Sequence, residues 1–359
     1  MIRVAMVSFW HVHGKDYARA AEQNPGTEIV AVWDEVPERG RAEAEKRGVP
    51  FFENLDDLLA QHNIDAVVVD APTSMHRDVM VKAARAGKHI YTEKVIAATV
   101  AEAEEILHEV ERAGVKFLVA MRRLPHASTR AVKSAIDQGL LGDLTLVSVR
   151  DAHSAVLPTP TNPRGFLSDE FLDPKLAQGG ALIDMCHAVY LARHFLGQPE
   201  TVSATFGYRS ERPVEDNAVV TLRCANGAIG IIESGYVVCA APFAIEVHGT
   251  EGSLLYSEIG IGERIARRNR GIETSTANAP DGKLRLFSSK VEGNDWLVQD
   301  VTDAAPDPFD QWVLHIQQNT TADENIALGL ALSEIIEAAY RSAASGQAIW
   351  LDTLAHAPT

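Results

Sequence analysis

Two segments that lie far apart in the chain carry residue types that could assist the oxidation of a secondary alcohol. Glu93-Lys94 ends an apolar run typical of a buried strand, and Gly179-Gly180 begins a helix-like segment that contains Asp184 and His187. Removing a hydride from an alcohol requires a base for the hydroxyl proton and a cation that stabilises the developing alkoxide. A lysine, an acid and an imidazole could together meet both requirements.

The size and charge of the chain limit its class. Its 359 residues, of which 46% are hydrophobic, are enough for two hydrophobic cores, so two domains are expected. A net charge of -16 argues against nucleic acid and anionic membrane surfaces as partners, because their phosphate groups would be repelled. A neutral substrate, or one presented with a cofactor, fits this charge better.

Neither a membrane anchor nor a cysteine framework is expected. No apolar run approaches the ~20 residues of a membrane span, and the segment that begins at Met1 lacks a charged leader followed by a long apolar stretch. We therefore expect a cytoplasmic protein. Cys186, Cys224 and Cys239 are too few and too scattered for disulfides or a zinc site, so they are expected to be small buried hydrophobic residues.

Strands and helices alternate regularly in the first third of the chain. The predicted strands are short and apolar throughout, as expected of strands covered on both faces. They span residues 2–7, 28–33, 66–69, 89–92 and 115–120, with helices near 17–23, 37–46, 55–61, 75–86 and 100–113. This α/β pattern predicts a Rossmann-type, doubly wound parallel sheet in a domain of residues 1–121.

The pattern changes after about Met121. Helices are predicted at 127–138, after Gly179-Gly180, and at 311–318 and 326–344; strands are predicted at 144–149, 201–208, 218–224, 228–236, 243–247 and 253–256. Residues 122–359 should therefore form an α+β domain with a large, mostly antiparallel open sheet. The apolar strand 228–236 predicts a homodimer or homotetramer formed through this sheet. The polar, glycine-rich stretch 264–301 is expected to be a hairpin or a mobile excursion.

The turn after the first strand lacks the glycines that usually accompany dinucleotide binding. A Gly-x-Gly-x-x-Gly fingerprint lets the backbone approach a pyrophosphate, but Ser8, Trp10 and His13 stand at the three glycine positions. The turn still leads into a helix, whose amino terminus remains available to an anion. Trp10 must then point away from the phosphates or push them outward. The expected cofactor contacts in this turn are Ser8, Trp10, His11 and Val12.

The two histidines of this turn do not predict a metal site. On the opening turn of a helix His11 and His13 diverge in direction, and no cysteine or glutamate completes a ligand set beside them. We therefore expect no metal.

The end of the second predicted strand favours NAD over NADP. Asp34 follows the apolar run that ends at Trp33, where an acid can accept hydrogen bonds from both ribose hydroxyls of an adenosine. Glu35 comes next, so a 2′-phosphate would meet two negative charges. An ordinary solvated aspartate at a strand end is the alternative interpretation of Asp34.

The ends of the later strands carry a family resemblance. Ligands of open α/β sheets gather at the carboxyl ends of the strands, so Thr73, His76, Glu93 and Lys94 should line one crevice. At these positions the chain resembles the Gfo/Idh/MocA family of oxidoreductases. The resemblance rests on the segments Ala71-Pro72-Thr73-Ser74-Met75-His76, Ala86-Gly87-Lys88-His89-Ile90-Tyr91-Thr92-Glu93-Lys94, Gly179-Gly180-Ala181-Leu182-Ile183-Asp184 with His187, Asp216-Asn217-Ala218 and Val247-His248-Gly249-Thr250-Glu251-Gly252-Ser253.

The resemblance implies roles for several residues. Lys94 would contact the nicotinamide ribose and the substrate hydroxyl, and His187 would accept the proton while Asp184 binds or orients substrate. Arg122 and Arg123 would line the cofactor or substrate site. The implied cofactor contacts outside the first turn are Asp34, Ala71, Pro72, Thr73, His76, Glu93, Lys94 and Arg122.

This chain departs from the family pattern in places besides the missing glycines. Val95 stands where a proline usually follows Glu-Lys, and Tyr190 stands where a second aspartate is common. Asp184 and His187 are three residues apart, whereas the family spacing is usually four. Since both spacings place side chains on one face of a helix, the pair is retained in principle.

We expect a nicotinamide-dependent dehydrogenase or reductase that acts on a sugar, a sugar derivative or a cyclitol. Further substrate contacts are expected from Arg123, His153, Arg164 and Tyr190. Two alternatives remain open. One is a lyase or hydrolase that oxidises its substrate transiently with tightly bound NAD; the other is a non-catalytic sensor or partner subunit that has lost cofactor binding.

Overall fold

The chain folds into two compact units, seen in a computed structural model that describes residues 1–159, 162–258, 282–292, 295–299, 301 and 303–351. The first unit comprises Met1–Arg122, Lys175–Gln178 and Pro306–Ser333, and the second comprises Arg123–Pro174, Gly179–Ala305 and Glu334–Thr359. Of the predicted excursion at 264–301, residues 264–281, 293, 294 and 300 lie outside the described part. A functional division at residues 121/122 stays a prediction.

The first unit contains a parallel α/β sheet, which confirms the predicted fold class. Its strands are all short, and several are fully buried. The elements are β1 (Ile2–Val7), α1 (Gly14–Gln23), β2 (Thr27–Trp33), α2 (Pro37–Arg47), β3 (Phe51–Phe52), α3 (Leu55–Leu59), β4 (Ala66–Val69), α4 (His76–Arg85), β5 (His89–Thr92), α5 (Val100–Ala113) and β6 (Phe117–Val119).

The strand order of this sheet creates a crevice for a ligand. Among the described residues six strands pair in the order β3-β2-β1-β4-β5-β6, and every pair is parallel. All carboxyl ends therefore lie at one edge. The chain turns from one half of the sheet to the other between β1 and β4, which is the switch point where such sheets bind ligands.

A helix from the last part of the chain completes the core of the first unit. This helix, α10 (Pro308–Gln318), begins with Asp307, whose side chain accepts the Phe309 N–H at 2.9 Å. Phe309 and Trp312 are fully buried and pack against Tyr91 of β5, with ring centroids 5.3 and 5.7 Å away. The first unit therefore includes sequence from both ends of the chain.

The second unit contains a mixed, mostly antiparallel sheet. Its helices are α6 (Ala127–Asp137), α8 (Ala181–Asp184), α9 (His187–Leu196) and the last part of α11 (Asp323–Ser345), whereas α7 (Pro174–Ala177) belongs to the first unit except for Pro174. Its strands are β7 (Leu144–Ala152), β8 (Thr201–Gly207), β9 (Asn217–Arg223), β10 (Ile229–Gly235), β11 (Phe243–Gly249), β12 (Gly252–Glu258), β13 (Lys283–Ser288), β14 (Leu297–Gln299) and β15 (Ile349–Trp350).

One face of this sheet is covered and the other is exposed. In the described ranges nine strands pair in the order β14-β13-β12-β11-β7-β10-β9-β8-β15, and only β7 and β10 pair in parallel. Residues alternate between buried and exposed along β9, and α9 packs against β7 and β10.

Cys186 and Cys224 are buried as expected, but Cys239 is exposed, so the prediction of a third buried cysteine is wrong. Among the described helices none combines the length and apolar character of a membrane span.

Candidate active site

The β1–α1 turn adopts a glycine-type conformation without glycine at its first position. Ser8 has a φ of 73°, in the left-handed region that serine rarely occupies. Its N–H donates to the Trp33 carbonyl at 2.7 Å, and its Oγ accepts the Trp10 N–H at 3.1 Å. These bonds hold the turn in a conformation whose cost for a non-glycine residue is about 1–3 kcal/mol.

Gly14 supplies the close packing that the fingerprint assigns to its third glycine. A Cβ at this position would lie 2.4 Å from Asp70 Oδ2 and 3.2 Å from Phe9 Cα. Helix α1 can therefore approach the sheet only because residue 14 has no side chain. The fingerprint would place its third glycine at residue 13, which is His13, and Gly14 is the next residue. The sequence search missed Gly14 because the turn is one residue longer than the fingerprint.

The amino terminus of α1 carries a cation beside it. Arg122 Nη1 lies 3.0 Å from His13 Nδ1 and 3.5 Å from Asp16 Oδ2. A helix start and a guanidinium both favour an anion. The residues of this turn fit a pyrophosphate in backbone conformation, and Arg122 supplies a positive charge that it shares with Asp16. Val12 is exposed, Trp10 is half-buried and His11 is buried.

Asp34 ties the end of β2 to this turn. Its carboxylate accepts the Phe9 N–H at 3.0 Å and the Val36 N–H at 2.8 Å, and it pairs with Arg39, whose Nη2 lies 2.7 Å from Oδ1. Arg39 also pairs with Glu35. The Asp34 side chain is fully buried behind Arg39. A ribose hydroxyl could reach this carboxylate only by displacing Arg39.

His76 joins the end of β4 to the segment after β5. Its Nδ1 lies 2.8 Å from the Val95 carbonyl, and its Nε2 lies 3.1 Å from the Ala71 carbonyl. Burial lowers the pKa of this imidazole. Pro72 and Thr73 form the turn that leads to His76. The peptide bond between Lys94 and Val95 is cis.

Lys94 lies in a buried group of ionisable side chains at the ends of β1, β4 and β5. Its Nζ is 3.1 Å from Glu93 Oε1 and 3.5 Å from His11 Nε2. Tyr17 of α1 donates a hydrogen bond to the other Glu93 oxygen. Asp70 is the fifth member, because one of its oxygens lies within 4.8 Å of both a His11 nitrogen and a Glu93 oxygen. We call these five residues the Lys94 cluster.

Charge and burial determine the ionisation of Glu93. Burial raises the pKa of this carboxyl. The Lys94 ammonium, followed by the nearby imidazoles and the Tyr17 hydroxyl, lowers it by more than burial raises it, so the pKa of Glu93 lies well below its ordinary value. Glu93 is therefore a carboxylate that holds Lys94 in place. Ligand-type atoms of His11, Asp70 and Glu93 are close enough to surround a cation. The Lys94 ammonium already supplies a positive charge there, and we assign no metal.

In the second unit the Gly179-Gly180 turn is clamped by Glu215 and Tyr340. A Cβ at residue 179 would lie 2.0 Å from Tyr340 Oη, and one at residue 180 would lie 2.1 Å from the Glu215 carbonyl oxygen. Glu215 Oε1 accepts the N–H groups of Gly180 and Leu182, each at 3.0 Å, and the Tyr340 hydroxyl at 2.6 Å. Both glycines are required by these close approaches, and Glu215 caps the start of α8.

Asp184 and His187 lie on two different helices. Asp184 is the last residue of α8, Met185 and Cys186 interrupt the helix, and His187 is the first residue of α9. The prediction that both lie on one face of a single helix is therefore wrong, because the chain turns between them. Asp184 Oδ2 instead accepts the Tyr236 hydroxyl at 2.7 Å.

Tyr190 holds His187. The Tyr190 hydroxyl accepts the Arg123 N–H at 2.9 Å and lies 3.1 Å from His187 Nδ1. Tyr190 is fully buried. The Arg123 guanidinium pairs with Glu258 and lies 3.8 Å from the Phe243 ring centroid.

The remaining candidate substrate residues lie in different surroundings. His153 is buried and stacks on Tyr236, with centroids 5.4 Å apart and planes at 19°. It therefore belongs with the group that holds Asp184. Arg164 is exposed and pairs with Asp169 at 2.8 Å. The roles of all these residues toward cofactor and substrate stay predictions.

Several functional candidates were missed from the sequence. Asp70, Tyr17, Tyr236 and Glu215 each bond or pack against a candidate residue. Asp70 left a signal, since it is an acid placed directly after the wholly apolar run Ala66–Val69. The others are separated in sequence from the residues they hold, so no local pattern indicates them.

The fold and the first-unit site define a dinucleotide-binding α/β protein. Residues 2–121 match the family model described as an oxidoreductase family with an NAD-binding Rossmann fold, and residues 129–255 match the GFO/IDH/MocA C-terminal domain. The chain belongs to the Gfo/Idh/MocA family of NAD(P)-dependent oxidoreductases, which confirms the resemblance.

Relatives of this chain include a reductase, several dehydrogenases and a hydratase. The 1,5-anhydro-D-fructose reductase of Ensifer adhaerens is 26% identical over 354 residues, covering 94% of this chain and 96% of the relative. The inositol 2-dehydrogenase of Rhizobium meliloti (strain 1021) is 28% identical over 344 residues, covering 94% and 95%. The solved structure of levoglucosan dehydrogenase in complex with NADH and levoglucosan has the same fold, with a TM-score of 0.77 and 20% identity over 98% of this chain and 99% of that chain.

Proposed function

We propose that this protein oxidises or reduces a secondary alcohol of a sugar, a sugar derivative or a cyclitol with NAD. The observation that carries the proposal is the buried Lys94, held by Glu93 at the ligand edge of a dinucleotide-binding sheet. The names of the two relatives supply the substrate class, since one acts on an anhydro-sugar and the other on inositol.

His187 is the proposed base. The Tyr190 hydroxyl oxygen has two lone pairs, so it can accept one hydrogen bond from the Arg123 N–H and another from an N–H at His187 Nδ1. In that tautomer Nε2 carries no proton and can take one from a hydroxyl. An imidazole suits this task because its ordinary pKa lies near neutrality.

Lys94 is the proposed hydrogen-bond donor to the substrate oxygen. Glu93 keeps the ammonium charged and in place, so one of its hydrogens can stabilise an oxygen that becomes negative. NAD, when bound, supplies the hydride acceptor. The residues proposed to hold it are the β1–α1 turn, Asp34 and Arg122.

Asp184 and His153 are the proposed contacts to further substrate hydroxyls. Asp184 accepts from Tyr236, whose ring stacks on His153, so the three side chains form one polar patch in the second unit. A carboxylate and an imidazole suit a substrate with several hydroxyl groups. It stays a prediction that this patch and Lys94 bind the same substrate. A homo-oligomer formed through the second sheet and a cytoplasmic location also stay predictions.

NAD is proposed over NADP because two acids end β2, but Arg39 makes NADP the second candidate. The guanidinium pairs with both Asp34 and Glu35, so the three groups together carry one negative charge rather than two. An arginine at this position is also a group that can accept a 2′-phosphate. Equilibrium binding of NAD and NADP to the purified protein separates the two.

A substrate screen tests the proposal. Purified protein is mixed with NAD or NADP and a panel of inositols, aldoses and anhydro-sugars, and nicotinamide absorbance is followed with product analysis. We expect reduced nicotinamide to form with at least one polyol. Product without net absorbance change would instead favour the lyase or hydrolase alternative. Absence of cofactor binding would favour the non-catalytic one.

A further inference from the structure

Asp70 is a carboxyl that the proposed mechanism does not use. It follows β4 directly and its side chain is fully buried. Neither carboxylate oxygen has a hydrogen-bond partner among the residues that the structure describes. Gly14 of α1 covers it, because a Cβ there would lie 2.4 Å from Asp70 Oδ2. An ionised carboxylate in such a place would lose its hydration, and the His11 N–H and the Lys94 ammonium would offset only part of that loss.

The charges around Asp70 leave no place for a second negative charge. Glu93 and Lys94, both at the end of β5, form one ion pair of 3.1 Å. Glu35 at the end of β2 adds further negative potential. Asp70 would therefore be the second carboxylate beside a single ammonium if it were ionised.

His11 borders both carboxyls of the cluster. Its Nε2 lies 3.5 Å from Lys94 Nζ and 3.9 Å from Glu93 Oε1, and its Nδ1 lies 3.3 Å from the backbone nitrogen of His13. With Lys94 positive and Glu93 negative, a proton on Asp70 leaves these three groups without net charge.

We propose that Asp70 is protonated at neutral pH and is a positioning residue for Lys94. A neutral Asp70 leaves Lys94 with Glu93 as its counter-charge, so the ammonium can share a hydrogen with a substrate oxygen. An ionised Asp70 would add a second carboxylate and draw the ammonium away from that oxygen. Burial and the Glu93 charge both raise the pKa of Asp70, in agreement with this assignment. Only the consequence for turnover rests on the proposed function.

The protonation state of Asp70 can be measured without an activity assay. The infrared spectrum of the full-length protein at pH 7 is compared with that of Asp70→Asn, which cannot ionise. We expect a carbonyl band of a neutral carboxylic acid that shifts in D2O, is absent from the variant, and disappears from the wild type at alkaline pH. The wild-type titration alone suffices if the variant does not fold. A difference between the wild-type and Asp70→Asn spectra at pH 7 that shows a carboxylate band and no acid carbonyl band contradicts the proposal, as does stoichiometric Zn2+ binding that needs Asp70.

The consequence for catalysis is read from the pH dependence of kcat. With any polyol that the wild type oxidises, the pH profile of kcat for Asp70→Asn should lack one alkaline ionisation that the wild-type profile shows. Profiles of the same shape for wild type and variant would overturn the positioning role. A wild type without turnover would count against the proposed function, whereas the infrared result would still decide the protonation state.

Discussion

Tyr17 donates a buried hydrogen bond to Glu93 across 76 residues of sequence. Tyr17 lies on α1, which begins at the proposed pyrophosphate site, and Glu93 holds Lys94 at the end of β5. One hydroxyl therefore connects the proposed cofactor helix to the proposed catalytic lysine.

Removing this hydroxyl should destabilise the protein measurably. In Tyr17→Phe the ionised Glu93 loses a donor that water cannot replace, which should lower the free energy of unfolding by about 1–3 kcal/mol. Urea unfolding measures it. The matched control is Tyr91→Phe, because the buried Tyr91 hydroxyl has no hydrogen-bond partner among the described residues and should be dispensable. Equal losses in both variants would contradict the role of the Tyr17 bond.

Arg39 should control the choice between NAD and NADP. Arg39→Ala leaves Asp34 and Glu35 without their cation, so a 2′-phosphate would meet two carboxylates. NADP affinity should fall at least about tenfold relative to NAD affinity. Fluorescence titration of both cofactors measures the ratio. Arg41→Ala is the control, since Arg41 on the same helix pairs with the exposed Glu53. An unchanged ratio in Arg39→Ala would remove Arg39 from cofactor selection.

Glu215 should affect turnover through the Gly179-Gly180 turn. Glu215→Ala removes the acceptor of the Leu182 N–H and the Tyr340 hydroxyl and leaves the Gly180 N–H with the Tyr340 hydroxyl alone, so the α8 start shifts and kcat should fall about 10- to 100-fold. Glu215→Gln keeps an acceptor oxygen and should retain most activity. The dissociation constant for NAD should not change, because the proposed cofactor residues lie in the first unit. Wild-type kcat in Glu215→Ala would exclude this role.

Asp70→Asn should become more stable than the wild type as the pH rises. Because the folded-state pKa of Asp70 is raised, the native protein binds a proton that the unfolded chain releases above about pH 4. The wild type therefore loses stability with rising pH, by up to about 1.4 kcal/mol per unit, until the folded-state pKa is passed, whereas the asparagine variant does not.

The opposite sign is expected for a control carboxyl. The pKa of Asp65 is lowered, chiefly by its hydrogen bond to Arg3. Asp65→Asn should thus lose stability relative to the wild type as the pH rises towards about 4 and should keep that deficit, unchanged, at higher pH. Denaturant unfolding at several pH values measures both variants. Parallel curves for Asp70→Asn and the wild type would show that Asp70 is not protonated in the native state.

The sequence predicts the strongly apolar elements well. The strands at 66–69 and 89–92 and the helix at 100–113 match the structure residue for residue. Their apolar runs are bounded clearly, and Thr99 caps the helix. The strand Phe51–Phe52 was not predicted, because two residues give no periodic pattern.

The candidate site was only partly readable from the sequence. Lys94 and Glu93 could be placed at a strand end because their own strand is apolar. The break between Asp184 and His187 could not be predicted, since Met185 and Cys186 continue the apolar helical pattern. The burial of Asp70 depends on Gly14, which lies on a different element, and such long-range contacts leave no local signal.

The central proposal is that Lys94 and His187 are both needed for hydride transfer from the substrate to NAD. Its most direct test is single-turnover formation of NADH from NAD and an oxidised polyol by the wild type, Lys94→Ala and His187→Ala. We expect each variant to be slower by at least about 100-fold while its dissociation constant for NAD stays within about threefold of the wild-type value. Wild-type rates in either variant would contradict the claim.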